Sequence, residues 1–155
     1  MKRIADIAGY DKDNNLILIV EVKTRERMTS QWASELLRNI WAHENMPKTK
    51  FFLLALPDKL YLWKDLSKDL SNAEYEKPIF ELDSKPLLKD YYNNLHVKPE
   101  KLSHESLELI ILTWLNELIN SRKDMSKAKK ELRRLFESNL IDSLKNGHLE
   151  AEAYI

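Results

Sequence analysis

The stretch Leu16-Ile17-Leu18-Ile19-Val20-Glu21-Val22-Lys23 decides the reading of this chain. Its first five residues are apolar without a break. A strand whose apolar residues do not alternate is covered on both faces, as in α/β proteins. The same strand finishes in a carboxylate and an ammonium two residues apart, and positions i and i+2 of a strand project to one face. Glu21 and Lys23 are therefore expected side by side where the strand leaves the core. Upstream, Arg3-Ile4-Ala5-Asp6-Ile7-Ala8 lies within a second strand (residues 3–9) and carries one further acid among small and apolar residues. Between them, residues 10–15 (Tyr10-Asp11-Lys12-Asp13-Asn14-Asn15) read as a turn, because Asp and Asn bond their own backbone and tolerate left-handed geometry. The segment also looks like the opening of a calcium-binding loop, but Leu16 stands where that loop needs glycine. Residues 3–9 and 16–24 thus form a hairpin.

Working outward, Thr29 or Ser30 caps a helix in which Trp32, Ala33, Leu36, Leu37, Ile40 and Trp41 recur at helical spacing, with Pro47 at its exit. Residues 50–56 form another buried strand, closed by Pro57-Asp58, and residues 60–64 form the arm that follows it. From 65 to 101, charges mix with Pro78, Pro86 and Pro99, which predicts short helices and connections. Ser103 caps a helix whose stripe is Leu107, Ile110, Ile111, Trp114, Leu115 and Leu118. A second helix follows Ser126 and turns Leu132, Leu135 and Phe136 inward. A third, short one runs to Lys145 and is stopped by Asn146-Gly147. Residues 148–155 alternate polar and apolar, the period of an edge strand. The chain reads as a single domain: a core of residues 1–65, a connecting region 66–102 and a C-terminal helical extension 103–155.

Composition narrows the function classes. The 155 residues are 43% hydrophobic and 32% charged, which suits one folded core and argues against disorder. Two glycines exclude a phosphate-cradling glycine-rich loop. The absence of cysteine excludes disulfides, zinc–thiolate sites and a cysteine nucleophile. No apolar run is long enough to span a membrane, and the N-terminal residues do not read as a secretory signal, so a cytoplasmic location is expected. Lysine plus arginine balance aspartate plus glutamate at 25 each, so no overall basic footprint marks a nonspecific nucleic-acid binder. Basic residues do gather locally, at Lys23-Thr24-Arg25-Glu26-Arg27 and from Arg122 to Arg134. The histidines 43, 96, 104 and 148 show no ligand spacing and are expected at the surface. The tryptophans are expected as core anchors.

Two carboxylates and a lysine on adjacent buried strands suit a hard divalent cation. Mg²⁺ prefers oxygen ligands, usually one or two carboxylates with water and substrate phosphate. Asp6 and Glu21 supply the carboxylates, and the carbonyl of Val22 offers a third oxygen. Lys23 offsets the repulsion of the acids and is placed to orient water or to stabilise charge on a phosphate. The reaction this suits is metal-assisted hydrolysis of a phosphodiester.

Asp6 on a strand, a hairpin turn, then Glu21-Val22-Lys23, with Trp32-Ala33 and Leu37-Arg38-Asn39 on the helix after it, resembles the PD-(D/E)XK nuclease superfamily. The likeness covers roughly residues 3–64. It implies an α/β fold with a restriction-endonuclease-like three-layer core, a mixed central sheet flanked by helices. By the same resemblance Asp6 and Glu21 bind Mg²⁺, or Mn²⁺ in its place, and Lys23 is the catalytic lysine. Gln31 or Arg38 contacts water, metal or phosphate, and Arg25 and Arg27 lie beside the site as DNA contacts. The superfamily usually places a helix before its first strand, often with a further acid that completes the site. Here the strand begins almost at Met1, and that helix is expected to be missing. The reading is a Mg²⁺-dependent DNA endonuclease, plausibly a homodimer because a duplex has two strands to cut and the extension is rich in apolar residues. The alternatives are an inactive nuclease-fold scaffold that binds a protein through residues 103–145, and a nucleic-acid binder acting through Arg122 to Arg134.

Overall fold

The computed structural model describes residues 3–43, 46–47, 49–66, 77–120 and 130–154. Its strands are β1 (Arg3–Tyr10), β2 (Leu16–Val22), β3 (Phe51–Ala55), β4 (Lys59–Lys64), β5 (Phe80–Asp83) and β6 (His148–Tyr154). Its helices are α1 (Ser30–His43), α2 (Lys85–Asn94), α3 (His104–Asn120), α4 (Lys130–Glu137) and α5 (Leu140–Leu144), with a 3-10 turn at Pro99–Lys101. The six strands make one mixed sheet in the order β5-β4-β3-β2-β1-β6. Only β2 and β3 run parallel, joined through α1; every other neighbouring pair is antiparallel.

The pleat explains the unbroken apolar runs. In β2, Leu18, Val20 and Val22 enter one core while Ile19 enters the other; in β3, Phe51, Leu53 and Ala55 separate in the same way from Phe52 and Leu54. Residues of α1 (Ala33, Leu37, Ile40) complete the second core, and residues of α2, α3, α4 and α5 complete the first. Helices therefore cover both faces, and each large side chain removed from water contributes about 1.5–3 kcal/mol. The apolar stripe of α3 is spent inside this core, and Leu109 is the exposed large hydrophobic residue of that helix.

Local chemistry sets the ends of the elements. Asp11 Oδ1 accepts the amides of Asp13 and Asn15 at 2.9 Å each, and Asn14 is left-handed with φ 64°, so the hairpin turn forms as expected. Thr29 Oγ1 caps α1 by accepting the Trp32 amide at 3.1 Å, and Ser103 Oγ caps α3 by accepting the Ser106 amide at 3.1 Å. Strand β2 stops at Val22, earlier than the expected 24, although the Lys23 amide still donates to Ala55 O at 3.1 Å. Strand β5 lies in the region read as short helices and connections. Only Phe80 and Leu82 of its four residues point inward, too short an alternation to stand out among neighbouring acids and prolines. The expected cap Ser126 lies outside the described residues. The last segment is no purely helical extension: β6 pairs with β1 and extends the main sheet.

Candidate metal centre

Asp6 is 1% exposed, and its polar surroundings come from three other elements, β2, α3 and β6. Its Oδ2 accepts the Val22 amide at 2.8 Å and lies 3.3 Å from Nε2 of His104, the first residue of α3. Carboxylate oxygens of Asp6, Glu108 and Glu152 all lie within 4.8 Å of one another. Glu108 is a buried residue of α3, one turn after His104, and Glu152 is an exposed residue of β6.

The backbone is irregular here. Ala5 and Ala8 both pack in the core under α1, while Ile7 packs in the core under α3. Residues three apart do not share a face of a regular strand, so the pleat breaks around Asp6. The β1–β2 pairs end at Ile7–Val20, and the next amide, that of Val22, is taken by the Asp6 side chain. On the other side, β1 pairs with β6 at Ala5–Ala153 and Ile7–Ala151, which leaves Glu152 across from Asp6. Glu152 has φ 50°, a left-handed value that a non-glycine residue rarely adopts in a strand. Such breaks re-aim side chains beside functional sites, and here the result is a pair of facing acids. Like charges directly opposite in a sheet are destabilising. A third carboxylate from α3 makes the arrangement one that calls for a cation, a counter-charge or a shared proton.

The donors fit a hard divalent ion. Mg²⁺ holds oxygens at about 2.1 Å, so opposite ligands stand about 4.2 Å apart, and Ca²⁺ at about 2.4 Å holds them about 4.8 Å apart. The 4.8 Å limit is the span across Ca²⁺, and around Mg²⁺ the three oxygens would draw closer together, to about 3.0 Å between adjacent ligands. Carboxylates suit Mg²⁺, Mn²⁺ and Ca²⁺, and the imidazole of His104 at the rim adds a ligand type that Mn²⁺ accepts more readily than Mg²⁺.

The residues singled out in the sequence lie around this cluster in different ways. Asp6 belongs to it. Val22 contributes its amide, which anchors Asp6. Glu21 is 6% exposed and, by alternation with Val20 and Val22, lies on the face covered by α1; it is not a member of the three-carboxylate group. Lys23 and Arg25 are exposed on the loop that leaves β2. Arg27, also exposed, has φ 60° and donates its amide to Asp58 Oδ2 at 3.0 Å. Gln31 is exposed on the first turn of α1 and reaches Glu35 at 3.5 Å, and Arg38 is half-buried on the same helix.

Three residues were not singled out as site members. Sequence patterning gives Glu108 no role, puts Glu152 at a polar position of an edge strand, and puts His104 at the surface. His104 does lie at the surface, its side chain 40% exposed, yet its Nε2 also touches Asp6. One signal was available: His104 and Glu108 are four apart, so they share a helix face. No helix among the described residues is long and apolar enough to cross a membrane. The chain matches no protein-family model, no curated protein and no solved structure.

Proposed function

We propose that this chain is a restriction-endonuclease-like hydrolase that cleaves phosphodiester bonds in DNA with a divalent cation held at the Asp6 end of its sheet. The observation that carries this reading is the convergence of Asp6, Glu108 and Glu152 from β1, α3 and β6 to within 4.8 Å. The order β1, β2, α1, β3, with helices on both faces of a mixed sheet, supports the nuclease-like fold. In this reading α3 takes the part of the helix expected before the first strand. Its Glu108 is the further acid, brought in from the C-terminal half of the chain.

The division of labour follows from position. Asp6, Glu108 and Glu152 bind Mg²⁺ or Mn²⁺, and the Val22 amide and His104 hold the Asp6 carboxylate in place. When bound, the ion supplies Lewis-acid polarisation of the phosphoryl group and a more acidic water. Lys23 lies on the exposed loop one residue after the Val22 amide that Asp6 binds, and in this reading it orients the attacking water or stabilises charge on phosphate. Arg25 and Arg27, exposed on the same loop, contact the DNA backbone.

Calorimetric titration with Mn²⁺ and plasmid cleavage in Mg²⁺ test this. Wild-type protein binds one ion per chain and cuts. Glu108→Gln loses the ion, and Glu108→Gln and Lys23→Ala each lower cleavage about 100-fold or more. Cleavage that survives both substitutions unchanged sinks the mechanism. Ion binding without cleavage of any DNA favours the inactive scaffold.

A further inference from the structure

Two concave regions of the described surface carry several cations each, and their chemistry differs. One is lined by Lys59, Lys130 and Arg134, but Glu81, Asp83 and Glu131 line it too. Lys59 is bonded to Asp83 at 2.7 Å and pairs with Glu81 at 3.4 Å, and Arg134 lies over the Phe80 ring at 5.6 Å. Lys59 and Arg134 are thus already engaged within the chain, and three carboxylates line the region beside them. This region includes the described part of the basic stretch Arg122 to Arg134; residues 121–129 lie outside the described residues.

The other, of about 590 Å³, lies between α2 and the 3-10 turn. Lys85, Lys89 and Lys98 line it together with Tyr92, Asn93, Val97 and two prolines, and no carboxylate does. All three lysines are exposed. Lys85 and Lys89 are four apart and so share one face of α2. In a chain of zero formal net charge, a groove with three cations and no acid is a local departure that selects for a polyanion.

Its position gives the polyanion a direction. At one end Lys85 pairs with Glu26 at 3.3 Å, and Glu26 stands between Arg25 and Arg27 on the loop after β2. At the other end the chain runs from Lys98 through the 3-10 turn to His104, which touches Asp6. Six residues span at most about 20 Å. At about 3.4 Å per base pair, that is about six base pairs of duplex.

We propose that the Lys85–Lys89–Lys98 groove seats the sugar-phosphate backbone of duplex DNA that leads to the Asp6 cluster. The inference rests on the reading of that cluster as acting on DNA, and it assigns the substrate path to α2, away from the basic C-terminal stretch. The groove neutralises phosphates and reads no bases, so binding through it is independent of sequence.

Fluorescence anisotropy of a short labelled duplex across a series of salt concentrations, in EDTA, tests the groove without the metal. The triple variant Lys85→Gln/Lys89→Gln/Lys98→Gln lowers the slope of log affinity against log salt by about 2–3, and by the same amount on unrelated sequences. The double variant Lys89→Gln/Lys98→Gln keeps the Glu26 pair and lowers it by about 2. A Lys130→Gln/Arg134→Gln control leaves it unchanged. An unchanged slope in the triple variant, no binding by wild-type protein, or lysine-dependent binding to phosphatidylserine vesicles in place of DNA overturns the proposal. If the groove variants lose binding yet no variant or wild type ever cleaves, the hydrolytic reading falls and the groove stands.

Discussion

Replacing Glu108 by glutamine should make the metal-free protein more stable and the metal-loaded protein less so. Glu108 is 8% exposed and Asp6 1%, and their carboxylate oxygens lie within 4.8 Å. Two unit charges at that distance repel by about 3.5 kcal/mol at an effective dielectric of about 20. Neighbouring groups relieve part of this in the native protein, so glutamine, of the same shape, should recover about 1–3 kcal/mol. For a chain of this size that raises the melting temperature in EDTA by roughly 3–10 °C. An ion at about a hundred times its Kd adds about 2.7 kcal/mol to wild type, and nothing to a variant that cannot bind it. Differential scanning calorimetry in EDTA and in Mn²⁺ should therefore show the variant ahead in the first and its advantage reduced or reversed in the second. If Glu108→Gln melts below wild type in EDTA, or gains as much from Mn²⁺, the three acids are not a strained cation site and the reasoning fails.

Other outcomes follow from single contacts. A Cβ on Gly147 would stand 1.9 Å from the Tyr10 carbonyl oxygen, so Gly147→Ala should displace β6, cost about 1–3 kcal/mol or more, and weaken Mn²⁺ binding at Glu152 five residues on; full metal affinity in this variant would count against the β6 contribution. Ser103→Ala removes the acceptor of the Ser106 amide and should cost about 1 kcal/mol in urea denaturation, with α3 still formed. Burial, then the Glu81 charge, pushes the Tyr61 hydroxyl up to about 12, from 10.0 in the unfolded chain. Below pH 10 its contribution is whole, and it is lost as the pH rises from 10 to 12, because the unfolded state gives up the proton first. Urea midpoints of Tyr61→Phe should fall less steeply across that window than those of wild type, after a constant loss for the bond to the Met28 carbonyl; parallel curves would refute this.

The parts of the fold that were legible in the sequence are those in which a residue's neighbours in sequence are also its partners. The Asp11 turn, the Thr29 and Ser103 caps and the unbroken runs of β2 and β3 are local signals, and each led to the right element. Strand β5 was missed because four residues carry too little period. The site was half legible for a related reason. Asp6 stood out as an acid on an apolar strand, but nothing near Glu108 or Glu152 in sequence says that α3 and β6 end beside β1. That meeting is decided by which helix covers the first core and which strand completes the sheet edge, and neither choice leaves a local pattern. The expected pairing of Asp6 with Glu21 assumed an even pleat, and the break around Asp6 turns its carboxylate toward α3.

The pairing of β1 with β6 joins the first described strand to the last. Closing a loop of about 150 residues costs on the order of 4 kcal/mol in chain entropy before any contact returns it. Asp6 and Glu152 therefore meet only when that closure is complete, since a chain in which β2, β3 and β4 have already paired still lacks the ligand from β6. In the proposed site, cation affinity would then report the pairing of β1 with β6. During synthesis at about 5–20 residues per second, a chain not yet extended to Glu152 would carry only part of the proposed cluster.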